Sequence, residues 1–566
     1  MFKIQYASSR FFSEFRQRTR SPGFIPVNIW REVRNENPTL ENMVFPPTQK
    51  REDSQNMIVT KGKVNLSGKP IDTGTSFETF DCFSDISLAD QRLITNLGKL
   101  GINQMSQIQQ YASSILSHVE IDEGEEINHI GQYDLLGSSQ TGSGKTLAYL
   151  YPLLNKLMLN YPKSAMDSVS KGNFSCQYPS ILVLAPTREL AQQIFRISSQ
   201  LSYRTYLRSV CLYGGEKPSR QLYEIQRGLH AAICTPGRLI QFLNERVISL
   251  QHCHHLVIDE ADRMLDMGFE PQLREIIENP DFGLPSKSNK KSQFRQTALF
   301  SATFPSSVTK IARDFLRGDS CVSVSVSHEN QDLLVPKWGQ HLSKEELSRL
   351  SRIPLEVTQK IHVFKPADSF DQQTRSSFAS YVAQVLKESL ENLNNEKSQV
   401  LIFTNTRVEA DIIDRILYKS GFSSASLHGD KSQSLRNSTI DRFRKGTLKV
   451  IVATSIASRG LDFPNVNLII NAGLPISQDD YVHRVGRTGR FGSSGLAITI
   501  LNLSSKPEPS PSVAKEILKL FENRESEKKD IPQEFISFST EEDRSGGYRN
   551  SKKPFKRYSS RKYNSY

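Results

Sequence analysis

The chain has 566 residues and carries 72 Lys+Arg against 60 Asp+Glu, a net charge of +12. That length accommodates two to four domains of ordinary size. A hydrophobic fraction of 37% with 30 Phe and 18 Tyr excludes a wholly disordered chain, and no run approaches the roughly 18 consecutive apolar residues of a membrane-crossing helix.

The charge is concentrated at the two ends. Residues 1–20 hold five basic residues and one acid, Glu14; residues 544–566 hold eight basic residues and no acid; the stretch between them is balanced at 59 of each sign. The first segment is Arg-rich, contains Ser and aromatics and nearly lacks acids, the composition of a mitochondrial transit peptide, so 1–22 is expected to be a targeting segment and 23–79 an N-terminal extension. A plain basic terminus is the bland alternative.

From there the chain alternates short apolar runs with helical patterns, and does so twice. The first series of predicted strands is Asp134–Gly137, Ser180–Ala185, Ala231–Cys234, His255–Ile258 and Thr297–Phe300; the second is Val400–Thr404, Ser423–Leu427, Val450–Ala453, Asn467–Ile470 and Leu496–Leu501. Such alternation predicts α/β architecture with parallel sheets covered by helices on both faces. Two domains follow, at 80–327 and 354–530, separated by a polar linker or insertion at 328–353. Two Ser- and Lys-bearing loops, 161–178 and 279–296, read as surface excursions.

The sharpest chemical signal follows the first strand. Ser139, Gln140, Thr141, Gly142, Ser143, Gly144, Lys145 and Thr146 form a glycine-bearing loop that opens a helix at Leu147. Gly142 and Gly144 let the backbone curl so that N–H groups converge on phosphate oxygens; Lys145 neutralises terminal phosphates, and Thr146 offers an oxygen to Mg²⁺. Serine at 139, where the general pattern has Gly, is small enough for closure. Pro152 is expected to bend or end that helix. Downstream, the apolar strand at 255–258 runs into Asp259-Glu260-Ala261-Asp262. Strand-end acids on a parallel sheet lie where ligands bind in this fold class, so Asp259 can hold Mg²⁺ and Glu260 can orient and deprotonate an attacking water.

The six cysteines are scattered without a CxxC pair and read as reduced, mostly packed thiols. His252, Cys253, His254 and His255 invite a metal reading, but adjacent side chains diverge and no second ligand pair sits at a suitable spacing. The C-terminal stretch 531–566 reads as a basic aromatic tail. Its cations interleave with Tyr548, Phe555, Tyr558, Tyr563 and Tyr566, a composition suited to gripping phosphates while stacking on unpaired bases. Lys552–Arg557 would also serve as a nuclear localisation signal.

In order along 80–503 the chain resembles the DEAD-box ATP-dependent RNA helicases. The resemblance is carried by Phe83 with Gln109, the phosphate loop, Pro186-Thr187-Arg188-Glu189-Leu190-Ala191, Gly214-Gly215, Thr235-Pro236-Gly237-Arg238, Asp259-Glu260-Ala261-Asp262 and Ser301-Ala302-Thr303. It continues through Ile402-Phe403, Gln433 with Arg436, Ala453-Thr454, Arg459-Gly460-Leu461-Asp462, and the run from His483 to Arg490 that includes Arg487.

The resemblance implies two tandem RecA-like domains, with ATP and Mg²⁺ as cofactors and RNA as partner. It implies that Gln109 reads the adenine edge while Phe83 stacks on it, that Lys145 contacts the β and γ phosphates, and that Thr146 and Asp259 order Mg²⁺. Glu260 would be the base, Arg487 and Arg490 the arginine fingers, and Asp462 a ribose contact. Asp262, Ser301 and Thr303 would couple nucleotide state to RNA. Arg188, Gly215, Thr235, Gly237, Arg238, Arg436 and Thr454 would contact RNA phosphates and sugars, which carry no base information.

Three departures from the family pattern stand out. Met105-Ser106-Gln107 lacks the rigid proline that usually leads to the glutamine, Ser455 stands where the family usually has Asp, and the stretch between Gln109 and Lys145 is long, with an acidic run at Asp122–Glu126. The whole chain looks most like the fungal mitochondrial RNA helicases that act in assembly of the large mitoribosomal subunit. The expectation is a monomeric mitochondrial-matrix RNA helicase with no membrane span, working on large-subunit ribosomal RNA or its precursor particles. Nuclear or cytoplasmic location, an ATP-gated RNA clamp and a DNA translocase are the alternatives.

Overall fold

The structure, a computed structural model, describes residues 44–45, 63–72, 77–86, 89–117, 133–138, 143–160, 176–285, 295–302, 306–327, 353, 357–365, 372–393, 398–455, 466–489, 494–503, 510–521 and 525–541. The expected transit peptide, all but Ile353 of the expected linker, and the basic aromatic stretch from 542 onward lie outside them. The chain divides near residue 341 into two compact units.

The first unit is built on eight strands: β1 (Lys63–Ser67), β2 (Asp134–Ser138), β3 (Ile181–Leu184), β4 (Ser209–Leu212), β5 (Ala231–Cys234), β6 (His255–Ile258), β7 (Gln296–Ser301) and β8 (Cys321–Ser327). They lie in the order β1-β8-β2-β7-β6-β3-β5-β4. All neighbours are parallel except β1 and β8. β3, β5, β6 and β7 are buried throughout, as continuous apolar runs must be when helices cover both faces.

Three strands here were not legible in the sequence. β4 and β8 carry Ser and Cys between their apolar residues, and β8 buries Ser323 and Ser325 as fully as its valines. β1 corrects a boundary: residues assigned to an N-terminal extension form an edge strand of the sheet, registered Val64 against Val326 and Leu66 against Val324. Pairing there covers the otherwise open edge of β8.

The helix Lys145–Asn160 also departs from expectation, because Pro152 does not end it. Ala148, Leu150 and Leu154 are fully buried around the proline. Tertiary packing therefore outweighs the lost backbone hydrogen bond and ring clash, worth about 3 kcal/mol.

The second unit has six strands: β9 (Val357–Phe364), β10 (Gln399–Thr404), β11 (Ser424–Leu427), β12 (Val450–Thr454), β13 (Val466–Ala472) and β14 (Gly495–Asn502). Their order is β11-β12-β10-β13-β14-β9, parallel throughout. Alternate residues of β10 feed separate cores, Leu401 and Phe403 on one face and Val400 and Ile402 on the other.

The expected start of the C-terminal tail is too early. Ile531, Phe535 and Phe538 pack into the core of the second unit around the helix Gln533–Ser539, so residues up to 541 belong to that fold. All six cysteines are free thiols. No helix among the described residues is long and apolar enough to cross a membrane.

Candidate functional site

Parallel strands end on the same side of a sheet, so the first unit collects its strand-end loops along one edge. β2 runs into the phosphate loop, β7 ends at Ser301 and β6 leads into Asp259. β7 lies between the other two, with Ser138 opposite Ser301 and Ile258 opposite Leu299. On the other half of that edge, β3 leads to Arg188, β5 to Thr235 and β4 to Gly215.

Ser139, Gln140, Thr141 and Gly142 lie outside the described residues; the loop is seen from Ser143 onward. Gly144 has φ +90°, a conformation that favours glycine. A side chain is also shut out there, because a Cβ would lie 2.3 Å from Gln109 Nε2. That amide donates to the Gly144 carbonyl at 3.1 Å, and Gln109 Oε1 accepts from Ser106 N at 2.8 Å. Ser106 Oγ in turn donates to the Ser143 carbonyl at 2.8 Å. Gln109 and Ser106 thus clamp the phosphate loop from the side.

The rigidity expected of the absent proline is supplied by other contacts. Met105 is buried and its N–H donates to the Asp81 carbonyl at 2.8 Å, while Gln104 forms an isolated bridge with Cys82. Phe83 is a correction. Its ring is 2% exposed and packs edge-on against Tyr151, centroids 4.7 Å apart, so it offers core packing and no open face to a base.

Lys145 opens the following helix and is buried, as is Asp259, while Thr146 is half-buried. Asp259 Oδ2 accepts from the Tyr149 hydroxyl at 2.8 Å, and its Oδ1 accepts from Glu260 N at 2.9 Å. Burial raises the Asp259 carboxyl to about 6, with the Glu260 carboxylate adding to the rise and Lys145 opposing it. Burial first, then the Asp259 carboxylate, pushes the Tyr149 phenol well up, so that it stays a donor. Glu260 has φ +49°, a left-handed conformation costing a non-glycine residue about 1–2 kcal/mol. Its Oε2 is buried without a hydrogen-bond partner. Two adjacent carboxylates, one with its acidity weakened by burial and one with an unsatisfied oxygen, fit a site for a divalent cation and an ordered water.

Asp262 and Ser301 are both buried. The short helix Ala261–Asp266 packs against β7, and Asp262 Oδ1 accepts from Arg263 N at 2.9 Å. Thr303 lies outside the described residues.

The second half of the edge brings five expected RNA contacts together. Arg188 lies over Gly215, where a Cβ would stand 2.0 Å from Arg188 Nη1; Gly215 has φ +81°. Arg238 is buried and braces the same loop, donating to the Glu216 carbonyl at 2.8 Å and to Gln221 Oε1 at 3.3 Å. Thr235 N donates to the Leu212 carbonyl at 2.8 Å. Gly237 is exposed in the first turn of the helix Pro236–Asn244.

In the second unit, Arg484 is the hub of a buried network that the sequence did not single out. Its Nη2 meets Asp480 Oδ2 at 2.8 Å and Asn405 Oδ1 at 2.9 Å, and its Nε donates to Ser455 Oγ at 2.8 Å. Ser455 Oγ donates to Asp480 Oδ2 at 3.1 Å, and Asn405 Nδ2 donates to the Leu474 carbonyl at 2.7 Å. Ser455 therefore stands inside a structural network with a carboxylate supplied by Asp480. The i, i+4 spacing of Asp480 and Arg484 on one helix was the available signal.

Arg487 follows on, with its N–H donating to the Arg484 carbonyl at 3.2 Å, and is itself buried. Thr454 ends β12 and is buried, and Arg436 Nη1 donates to Gln433 Oε1 at 3.3 Å. Arg490 and Asp462 lie outside the described residues.

Residues 123–311 match the DEAD/DEAH box helicase family and residues 381–492 match the helicase conserved C-terminal domain; together these cover more than half of the chain. Among solved structures, one of Mss116p, with its N-terminal extension and C-tail deleted and bound to ssRNA and AMP-PNP, is 24% identical with a TM-score of 0.58. That match covers 82% of this chain and 86% of the other. The DEAD-box helicase Mss116 bound to ssRNA and UDP-BeF is 22% identical, TM-score 0.60, over 83% and 84%. Dbp5 of S. cerevisiae bound to RNA and ADP BeF3 is 21% identical, TM-score 0.55, over 81% and 100%. Likeness at these identities establishes a shared fold.

Proposed function

The chain belongs to the DEAD-box helicases and is an RNA-dependent ATPase, and from this premise we propose that it uses ATP to melt short RNA duplexes or to remodel RNA–protein assemblies. The observation that carries this reading is the placement of the phosphate loop, Ser301 and the Asp259–Glu260 pair at the ends of three neighbouring parallel strands.

Each residue then has a defined task. The loop amides and Lys145 hold the phosphates, while Gln109 and Ser106 keep the loop in shape. Thr146 and Asp259 are the residues that would hold Mg²⁺, which when bound would offset the charge of the phosphates. Glu260 orients the attacking water and takes its proton on a carboxylate whose Oε2 is unsatisfied. By the family resemblance, Arg487 and Arg490 would supply counter-charge to the transferring phosphoryl group, an effect worth about 10³–10⁵ in rate in enzymes of this reaction class. Ser301, Asp262 and Thr303 pass nucleotide state toward the strand ends that carry Arg188, Gly215, Thr235, Gly237 and Arg238.

The test is ATP hydrolysis with and without single-stranded RNA, with single-stranded DNA as comparison, in the wild type, Lys145→Ala and Glu260→Gln. RNA should stimulate hydrolysis, DNA should not, and both variants should be nearly inactive. Equal stimulation by DNA would assign a DNA translocase. RNA stimulation without duplex melting, with both variants still supporting cell growth, would assign a clamp.

We further propose action in the mitochondrial matrix on large-subunit ribosomal RNA. The Arg-rich, acid-poor composition of residues 1–20 supports this. Crosslinking the protein to RNA in cells and sequencing the fragments tests it, and chiefly cytosolic or nuclear RNA would overturn it.

A further inference from the structure

Tyr149 is a fully buried hydroxyl placed against a candidate catalytic carboxylate. It lies one helical turn after Thr146 on the helix that Lys145 opens, with no exposed surface. Its hydroxyl donates to Asp259 Oδ2 at 2.8 Å. The donor and the carboxylate come from segments 110 positions apart in sequence. The other carboxylate oxygen of Asp259 is fixed separately by Glu260 N at 2.9 Å. The ring is tilted against Phe300 on β7, centroids 5.3 Å apart, so the hydroxyl cannot swing away without displacing a buried aromatic pair.

From this geometry we infer that Tyr149 is a positioning residue of the nucleotide site, setting the side-chain orientation of Asp259 before a cation arrives. The inference rests on the proposed reading of Asp259 as a cation holder. The phenol acts through the carboxylate oxygen it bonds. Preorganisation of this kind spares a binding event the cost of ordering its ligands. The alternative is a core tyrosine whose hydroxyl has simply found a partner.

Tyr149→Phe removes the oxygen and keeps every ring carbon. In the full-length protein, a fluorescent ATP analogue is titrated with EDTA present and then at increasing Mg²⁺, with kcat and KM measured alongside thermal unfolding. The expected result is affinity in EDTA within about twofold of wild type, and a half-saturating Mg²⁺ concentration raised about tenfold, as for other residues that orient metal ligands. kcat should largely recover at saturating Mg²⁺. Phe300→Leu loosens the ring and keeps the hydroxyl; it should lower the melting temperature and leave the Mg²⁺ dependence in place.

An unchanged Mg²⁺ dependence in Tyr149→Phe would overturn the inference. So would an equal shift in Phe300→Leu, or a Tyr149→Phe protein that does not fold, since either assigns the residue to packing or stability. A wild-type protein whose nucleotide binding ignores Mg²⁺ would overturn the underlying reading of Asp259 instead.

Discussion

Lys156 gives the most quantitative expectation. It sits on the helix that begins at Lys145, and its ammonium is buried with one long hydrogen bond, 3.5 Å to Gln296 Oε1. The buried carboxylate at this end of the sheet, Asp134, is committed elsewhere, accepting from Arg317 Nη2 at 2.9 Å and from Thr297 N at 2.8 Å. Burial, assisted by Arg317, therefore lowers the Lys156 amine from 10.5 to about 7. Between those values the unfolded chain holds a proton that the native chain has released. Stability should accordingly rise with pH by about 1.4 kcal/mol per unit from pH 7 toward 10.5, and Lys156 should contribute no pH dependence below 7. His255 shares Gln296 Oε1 at 3.2 Å but is pushed well below its ordinary range, so it stays neutral throughout this window.

Lys156→Met fills similar space and leaves Gln296 its His255 partner. The variant should be more stable than wild type at pH 7, with an advantage that shrinks by about 3 kcal/mol by pH 9.5. Urea unfolding of both proteins by circular dichroism at pH 6.5, 7, 8 and 9.5 measures the difference, in which other titrating groups cancel. A difference that stays constant to within about 0.5 kcal/mol across this range would show that the amine is not charged at a cost, and would refute the reasoning.

Four further outcomes follow from other features. Gly144→Ala adds a Cβ 2.3 Å from Gln109 Nε2 at φ +90°, so ATP affinity should fall at least tenfold, roughly the effect of 1.4 kcal/mol; titration with a fluorescent nucleotide checks it, and unchanged affinity would remove the clamp from the account. Asp480→Asn leaves the buried Arg484 guanidinium without its carboxylate and should destabilise the second unit by about 3 kcal/mol, seen in thermal unfolding as a loss confined to that unit's transition. Phe535→Ala should cost about 3 kcal/mol in the same transition, since the ring is fully buried. Deleting 544–566 should leave the transition in place and flatten the salt dependence of RNA binding, because that segment carries eight cations.

The reach of the sequence follows the locality of the interactions. A continuous apolar run such as Ile181–Leu184 declares itself because both its faces are buried. The phosphate loop declares itself because its chemistry lies within eight consecutive residues. Strands such as β8, whose buried serines alternate with valines, and β1, which needs β8 as a template, do not. Nor did the reach of the second fold to residue 541, which depends on Phe535 and Phe538 finding a core built from the strands before them.

Composition and motif order determined the class of fold, the +12 charge divided between two basic ends, and the candidate residues for phosphate. Tertiary structure alone decided what those residues touch. It placed Phe83 in the core, turned Gln109 and Ser106 into a clamp on the phosphate loop, and set Ser455 between Asp480 and Arg484. It also joined Tyr149 to Asp259 across 110 positions of chain. Such contacts leave no spacing rule in the sequence, because the sheet order brings together segments whose separation along the chain is set by the lengths of the helices and loops between them.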